Sequence, residues 1–143
     1  MRIALDAMGG DNAPEITVAG AVRAARDFED IEIVLVGQRD AVEQVLATYP
    51  RRPTNLSVLH APEVVGMGES PAASIRKKRE SSIMVGVELL KHKGVDAFVS
   101  AGNTGAVVAA STVLVGLLPG VERPGIAILL PGLKGETLLI DVG

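Results

Sequence analysis

Residues 31–49 read IEIVLVGQRDAVEQVLATY. The first seven carry aliphatic side chains at nearly every position, without polar alternation, which marks a strand buried on both faces. The period then changes. Val42, Val45, Leu46 and Tyr49 stand at i, i+3, i+4 and i+7, one face of a helix. A doubly buried strand followed at once by an amphipathic helix is the repeating unit of a parallel α/β sheet.

The pattern extends in both directions. RIALD (2–6) reads as a strand, and Pro14 suits the first turn of the next helix, with Asp11 or Asn12 near its cap. Val18, Ala21, Val22 and Ala25 give that helix an apolar face. LSVLHA (56–61) is a third strand, and PEVVGMGESPAAS (62–74) a long loop. IRKKRESSIMVGVELLKHKG (75–94) reads as a basic lead-in and a helix with Ile83, Val87 and Leu90 inside. VDAFVS (95–100) is a strand, AGNTGA (101–106) a loop and VVAASTVLVGLL (107–118) a helix of small and branched residues. GIAILLPGLKGETLLIDVG (125–143) reads as two strands joined by a glycine-containing turn, hence a hairpin. The expected fold is a mainly parallel sheet with helices on both sides.

The 143 residues suffice for one domain with a core. A net charge of −3 and a pI near 5.4 give no sign of a nucleic-acid binder. The absence of cysteine excludes disulfides, thiolate nucleophiles and Cys-ligated zinc. The start lacks the long apolar run of a signal peptide. Residues 97–121 carry no charge and are long enough to span a bilayer, but glycines, Pro119 and five hydroxyl or amide residues interrupt them. A strand, a glycine loop and a buried helix explain that stretch better. The chain stops directly after a strand, so it reads as the N-terminal part of a longer single α/β domain whose C-terminal half lies beyond residue 143. A sheet cut there would expose an unpaired edge or a bare face.

Ligands of such sheets sit at the loops that follow strands. In DAMGGDNAP, Gly9 and Gly10 allow the backbone to come close to a ligand; the alternative is a tight turn capped by Asp11 or Asn12. Asp6 and Asp11 alone are too few ligands to argue for a metal. The run Arg76, Lys77, Lys78, Arg79 is either a solvated face or a site for phosphate or an acidic partner. In SAGNTGA, a strand gives way through a small polar loop to a helix, the arrangement that cradles an anion on backbone amides, with Ser100, Asn103 and Thr104 as further donors. A helix cap by Asn103 or Ser100 is the plainer reading. Arg123, before Pro124, clamps a phosphate or pairs with Glu122. His60 and His92 read as structural.

Together IALDAMGGDNAPE, GESPAASIRKKRESSI, VSAGNTGA, ERPGIA and LLIDVG resemble, in this order and over the whole chain, the bacterial phosphate acyltransferase (PlsX) family. Gly125 stands where alanine is more usual. The resemblance implies a three-layer α/β/α sandwich similar to isocitrate and isopropylmalate dehydrogenases and to phosphotransacetylase. It implies transfer of a fatty acyl chain from acyl carrier protein to inorganic phosphate, giving acyl phosphate for phospholipid synthesis. It further implies a cytoplasmic homodimer, able to associate with the membrane face, with no metal or organic cofactor. For that chemistry the candidate catalytic residues in this sequence are Asn103 and Arg76. Phosphate and substrate binding fall to Asp6, Gly9, Gly10, Asp11, Ser100, Gly102, Thr104, Gly105 and Arg123, and carrier docking to Lys77, Lys78 and Arg79. The competing expectations are a phosphotransacetylase-like enzyme acting on acyl coenzyme A, and a non-catalytic anion-binding scaffold for carrier protein.

Overall fold

The computed structural model describes residues 1–141. Val142 and Gly143, which end the LLIDVG stretch, lie outside the described residues. Four strands, β1 (Arg2–Asp6), β2 (Glu32–Gly37), β3 (Leu56–His60) and β4 (Ala97–Val99), form an all-parallel sheet in the order β3-β2-β1-β4. Leu5 aligns with Leu35 on one side and Val99 on the other, so β1 is paired along both edges.

Helices cover both faces. Ile33 and Leu35 of β2 pack with Val18 and Val22 of α1 (Glu15–Asp27) and with Val42 and Leu46 of α2 (Arg39–Leu46). Val34 and Val36 turn to the opposite face, as strand geometry requires, and meet Val85 and Leu89 of α4 (Ser82–Lys91). Beside that cluster, Ile83 and Val87 pack with Ile75 of α3 (Pro71–Lys77) and with Ala106 and Ala110 of α5 (Thr104–Leu114). The architecture is α/β, with the helices of a three-layer sandwich around a parallel sheet. Burying one side chain such as Leu35 or Val36 contributes about 1.5–3 kcal/mol.

Several local expectations are corrected. Pro14 itself occupies the N-cap of α1, so neither Asp11 nor Asn12 caps it with a side chain; Asn12 supplies its carbonyl to the Ile16 amide instead. Helix α2 stops at Leu46, though Tyr49 still packs beneath it and carries the Arg26 guanidinium over its ring. The stretch from Pro71 is helical rather than loop: proline sits at the first helical position, where its fixed φ is already right and its missing N–H costs nothing. Arg76 and Lys77 are therefore the last turn of α3. Helix α5 begins at Thr104, ahead of the apolar run, because Asn103 caps it.

The hairpin is present as β5 (Ala127–Gly132) and β6 (Gly135–Ile140), paired antiparallel and separate from the main sheet. All of its residues are exposed, including Leu129, Leu133 and Ile140. Among the described residues β4 pairs only with β1. No helix of the described residues is long and apolar enough to cross a membrane.

Candidate active site

The chain lays β2 and β3 outward on one side of β1, then returns to place β4 on the other. The loops after β1 and β4 therefore leave the sheet toward opposite faces and meet at the C-terminal ends of the strands. In open α/β sheets this is where ligands bind.

Asp6 stands at this junction and is 1% exposed. Its Oδ1 accepts from the Met8 amide at 3.1 Å, and its Oδ2 accepts from the Ser100 hydroxyl at 2.7 Å. Ser100 Oγ in turn accepts from the Gly102 amide at 3.0 Å. One relay of hydrogen bonds thus ties the loop after β1 to the loop after β4. The glycines serve the same closure. A Cβ on Gly9 would stand 2.7 Å from the Gly102 nitrogen and 2.7 Å from Asp6 Oδ2, while Gly10 adopts φ +99°. The close approach that the double glycine permits is first of all to the neighbouring loop. Thr17 fixes the far side, its hydroxyl reaching the Ala7 and Pro14 carbonyls.

Asn103 is 7% exposed and fully engaged. Its Oδ1 accepts from the Ala106 amide at 3.0 Å, capping α5. Its Nδ2 lies within 3.1–3.2 Å of the carbonyls of Gly66, Met67 and Glu69, which pins the loop before α3 to the start of α5. Gly105 completes that junction, since a Cβ there would stand 2.6 Å from Pro71 Cγ. By helix geometry the Thr104 and Gly105 amides have no intrahelical acceptor, and they stand at the positive end of the helix dipole. Thr104 is exposed.

The cations divide. Lys78 donates to Glu69 at 2.5 Å and to the Val64 carbonyl at 2.7 Å, so its charge is spent inside the chain. Arg76, Lys77 and Arg79 are exposed, and none makes an ion pair among the described residues. Arg76 shares a groove with Gly105, so it is the cation of the run that approaches the α5 terminus. Asp11 is exposed on the outside of its loop. Arg123 lies at an exposed bend between α5 and β5 rather than after a strand, next to Pro124, which lines the same groove as Arg76. No ion pair joins it to Glu122 among the described residues. His60 accepts from the Arg39 amide and His92 ends α4 beside Glu88, both structural as read.

Glu69 is the site residue that sequence reasoning missed. Its carboxylate accepts from Lys78, from the Gly66 amide at 2.7 Å and from the Ser74 hydroxyl at 3.0 Å. The hydrogen bond from Lys78 leads these in lowering its pKa from 4.5 to about 2. A signal was available: Glu69 is the sole acid between Val64 and Arg79, directly ahead of four cations.

The family model described as "fatty acid synthesis protein" matches residues 1–143. The chain is 48% identical, over its full length, to a phosphate acyltransferase of Thermoanaerobacter pseudethanolicus, covering 42% of that protein. It is 49% and 50% identical, again over its full length, to phosphate acyltransferases of Geotalea daltonii and Geotalea uraniireducens, covering 41% of each. The chain thus spans about two fifths of the length of the curated relatives it matches. With every residue inside the matched region, the chain belongs to the fatty acid synthesis protein family.

Proposed function

We propose that this chain carries the phosphate-binding half of an acyltransferase that moves a fatty acyl group from acyl carrier protein to inorganic phosphate, for phospholipid synthesis. The observation that carries the proposal is the start of α5, where Gly105 and Arg76 line one groove three residues on from the Gly102 junction, in a chain matched throughout to phosphate acyltransferases.

Phosphate dianion is itself a competent nucleophile. It needs an anion cradle that leaves one oxygen free, and the Thr104 and Gly105 amides with Arg76 supply one. A phosphate oxygen attacks the thioester carbonyl carbon. The carbonyl oxygen becomes an oxyanion, stabilised by preorganised donors, and the carbon–sulfur bond breaks as it collapses. The products are acyl phosphate and carrier thiolate, which takes a proton from solvent. Much of the acceleration comes from holding the two reactants together. Asp6, Ser100 and Gly102 hold the loops after β1 and β4 together, and Asn103 acts as a positioning residue, through the α5 cap and the 66–69 loop. Lys77 and Arg79 steer the acidic carrier protein. Arg123 adds a second cation on the rim. The same reading carries with it a cytoplasmic homodimer that associates peripherally with the membrane and uses no cofactor.

The test mixes the full-length protein with palmitoyl carrier protein, with and without phosphate, and follows free thiol together with hydroxylamine-trappable acyl phosphate. Phosphate-dependent appearance of both is expected. Equal turnover with palmitoyl coenzyme A would favour a phosphotransacetylase-like donor preference. Carrier binding without turnover would replace the enzyme with a scaffold.

A further inference from the structure

A groove of about 760 Å³, lined almost wholly by apolar side chains, runs between α3 and α5. It starts at Gly105, at the same helix terminus as the candidate phosphate cradle. It then follows one face of α5 through Val108, Ala109, Thr112 and Val113, which stand at i+3, i+4, i+7 and i+8 from Gly105. That face is about 12 Å long at the rise of an α-helix. Ala72 and Ile75 of α3, with Pro124 and Ile126, complete the lining. Thr112 spends its hydroxyl on the Val108 carbonyl at 2.7 Å, so the floor offers no free polar group there. Arg76 is the single charged residue of the lining and makes no ion pair among the described residues.

We infer that this groove is the subsite for the acyl chain, occupied by a single long aliphatic tail whose anionic or acyl head lies at Gly105 and Arg76. The inference rests on the proposed acyl transfer to phosphate and adds where the chain runs and which residues measure its length. The argument is one of complementarity. An acyl phosphate is an apolar tail ending in a phosphate. The groove is an apolar trough with one cation, beginning where phosphate is proposed to bind. Each methylene moved from water into such a trough is worth about fourfold in affinity. Val108 lies nearest the head and Val113 nearest the tail end, so bulk at Val108 shortens the usable trough and charge at Val113 spoils its far end.

The experiment uses the full-length protein and hexadecyl phosphonate, a non-reacting mimic of the acyl phosphate, with binding followed by calorimetry. Val108→Trp is expected to weaken hexadecyl phosphonate about a hundredfold, the loss of three or four buried methylenes. Val113→Asp, at a position 70% exposed and therefore tolerant of charge, is expected to weaken it about tenfold. In the acyl-transfer assay, Val108→Trp is expected to lower the ratio of kcat/KM for hexadecanoyl over hexanoyl donors at least tenfold. Unchanged phosphonate affinity in both variants would overturn the inference. So would lowered thermal stability without loss of affinity, which would show the groove filled by protein, whether another stretch of chain or a second copy. If the unmodified protein transfers no acyl group yet loses phosphonate binding in the variants, the reaction reading falls and the groove assignment stands. If transfer proceeds with the same chain-length profile in both variants, the groove assignment alone falls.

Discussion

The Ser100 hydroxyl donates to Asp6 Oδ2 at 2.7 Å, joining the ends of two adjacent strands across 94 positions of sequence. Asp6→Asn exchanges a carboxylate oxygen for an amide donor that faces either the Met8 amide or the Ser100 hydroxyl. Leaving a buried polar group without its partner costs about 1–3 kcal/mol. Asp6→Asn and Ser100→Ala are each expected to lower stability by that amount in urea unfolding. The double variant should lose less than the sum, because both remove one bond. Strict additivity would show that the two groups do not act together.

Gly9→Ala forces a methyl against the Gly102 amide and the Asp6 carboxylate. Overpacking of this kind costs about 1–3 kcal/mol, and it prises the two loops apart. Gly20→Ala is the opposite case, since nothing lies within 4 Å of its Cβ position on an exposed face of α1. It is expected to stabilise by about 0.5–1 kcal/mol. Thermal unfolding of the pair should therefore move in opposite directions, with phosphate-dependent turnover lost only in Gly9→Ala.

Glu69 gives a pH dependence of known sign. Its carboxyl takes up a proton near pH 4.5 when the chain is unfolded, but only near pH 2 when folded. Between those values the unfolded state binds more protons, so the contribution to stability is complete above about pH 4.5 and fades as pH falls towards 2. Urea midpoints measured from pH 6 to pH 2.5 should fall less steeply for Glu69→Gln than for the unaltered protein. Parallel slopes would remove Glu69 from this role.

Asn103 separates capping from loop anchoring. Asn103→Ser keeps an oxygen for the α5 cap but cannot reach the Gly66, Met67 and Glu69 carbonyls. It is expected to release the 66–69 loop, seen as faster amide exchange there, while α5 amides stay protected. Asn103→Ala loses both functions, with the missing cap alone worth about 1 kcal/mol. Uniform exchange changes in both variants would mean that the cap dominates.

How far these relationships are visible in sequence follows from their range. The buried run of β2 and the apolar face of α1 are local patterns, and both stand where the periodicity puts them. The hairpin was legible from its glycine turn, but not its separation from the parallel sheet, because that depends on partners distant in the chain. Helix α3 was hidden by two glycines and a proline that compose like a loop, although proline at N1 is a helix signal. At the site, the need for close approach at Gly9 was readable; that the approaching group is the backbone of Gly102 was not. Lys78 looked like its three basic neighbours, and only the folded loop shows that Glu69 holds it.

The strand order has a consequence in time. Synthesis delivers β1, β2 and β3 by residue 60, yet β1 acquires its second neighbour only when β4 and Ser100 appear, some 40 residues later. At about 5–20 residues per second on the ribosome, that is an interval of about 2–8 s. Throughout it the Asp6 carboxylate stays wet. The Asp6–Ser100 junction is thus the last link this four-stranded sheet acquires as it is made. In pulsed exchange on stalled chains, the β1 amides facing β4 should gain protection after those facing β2.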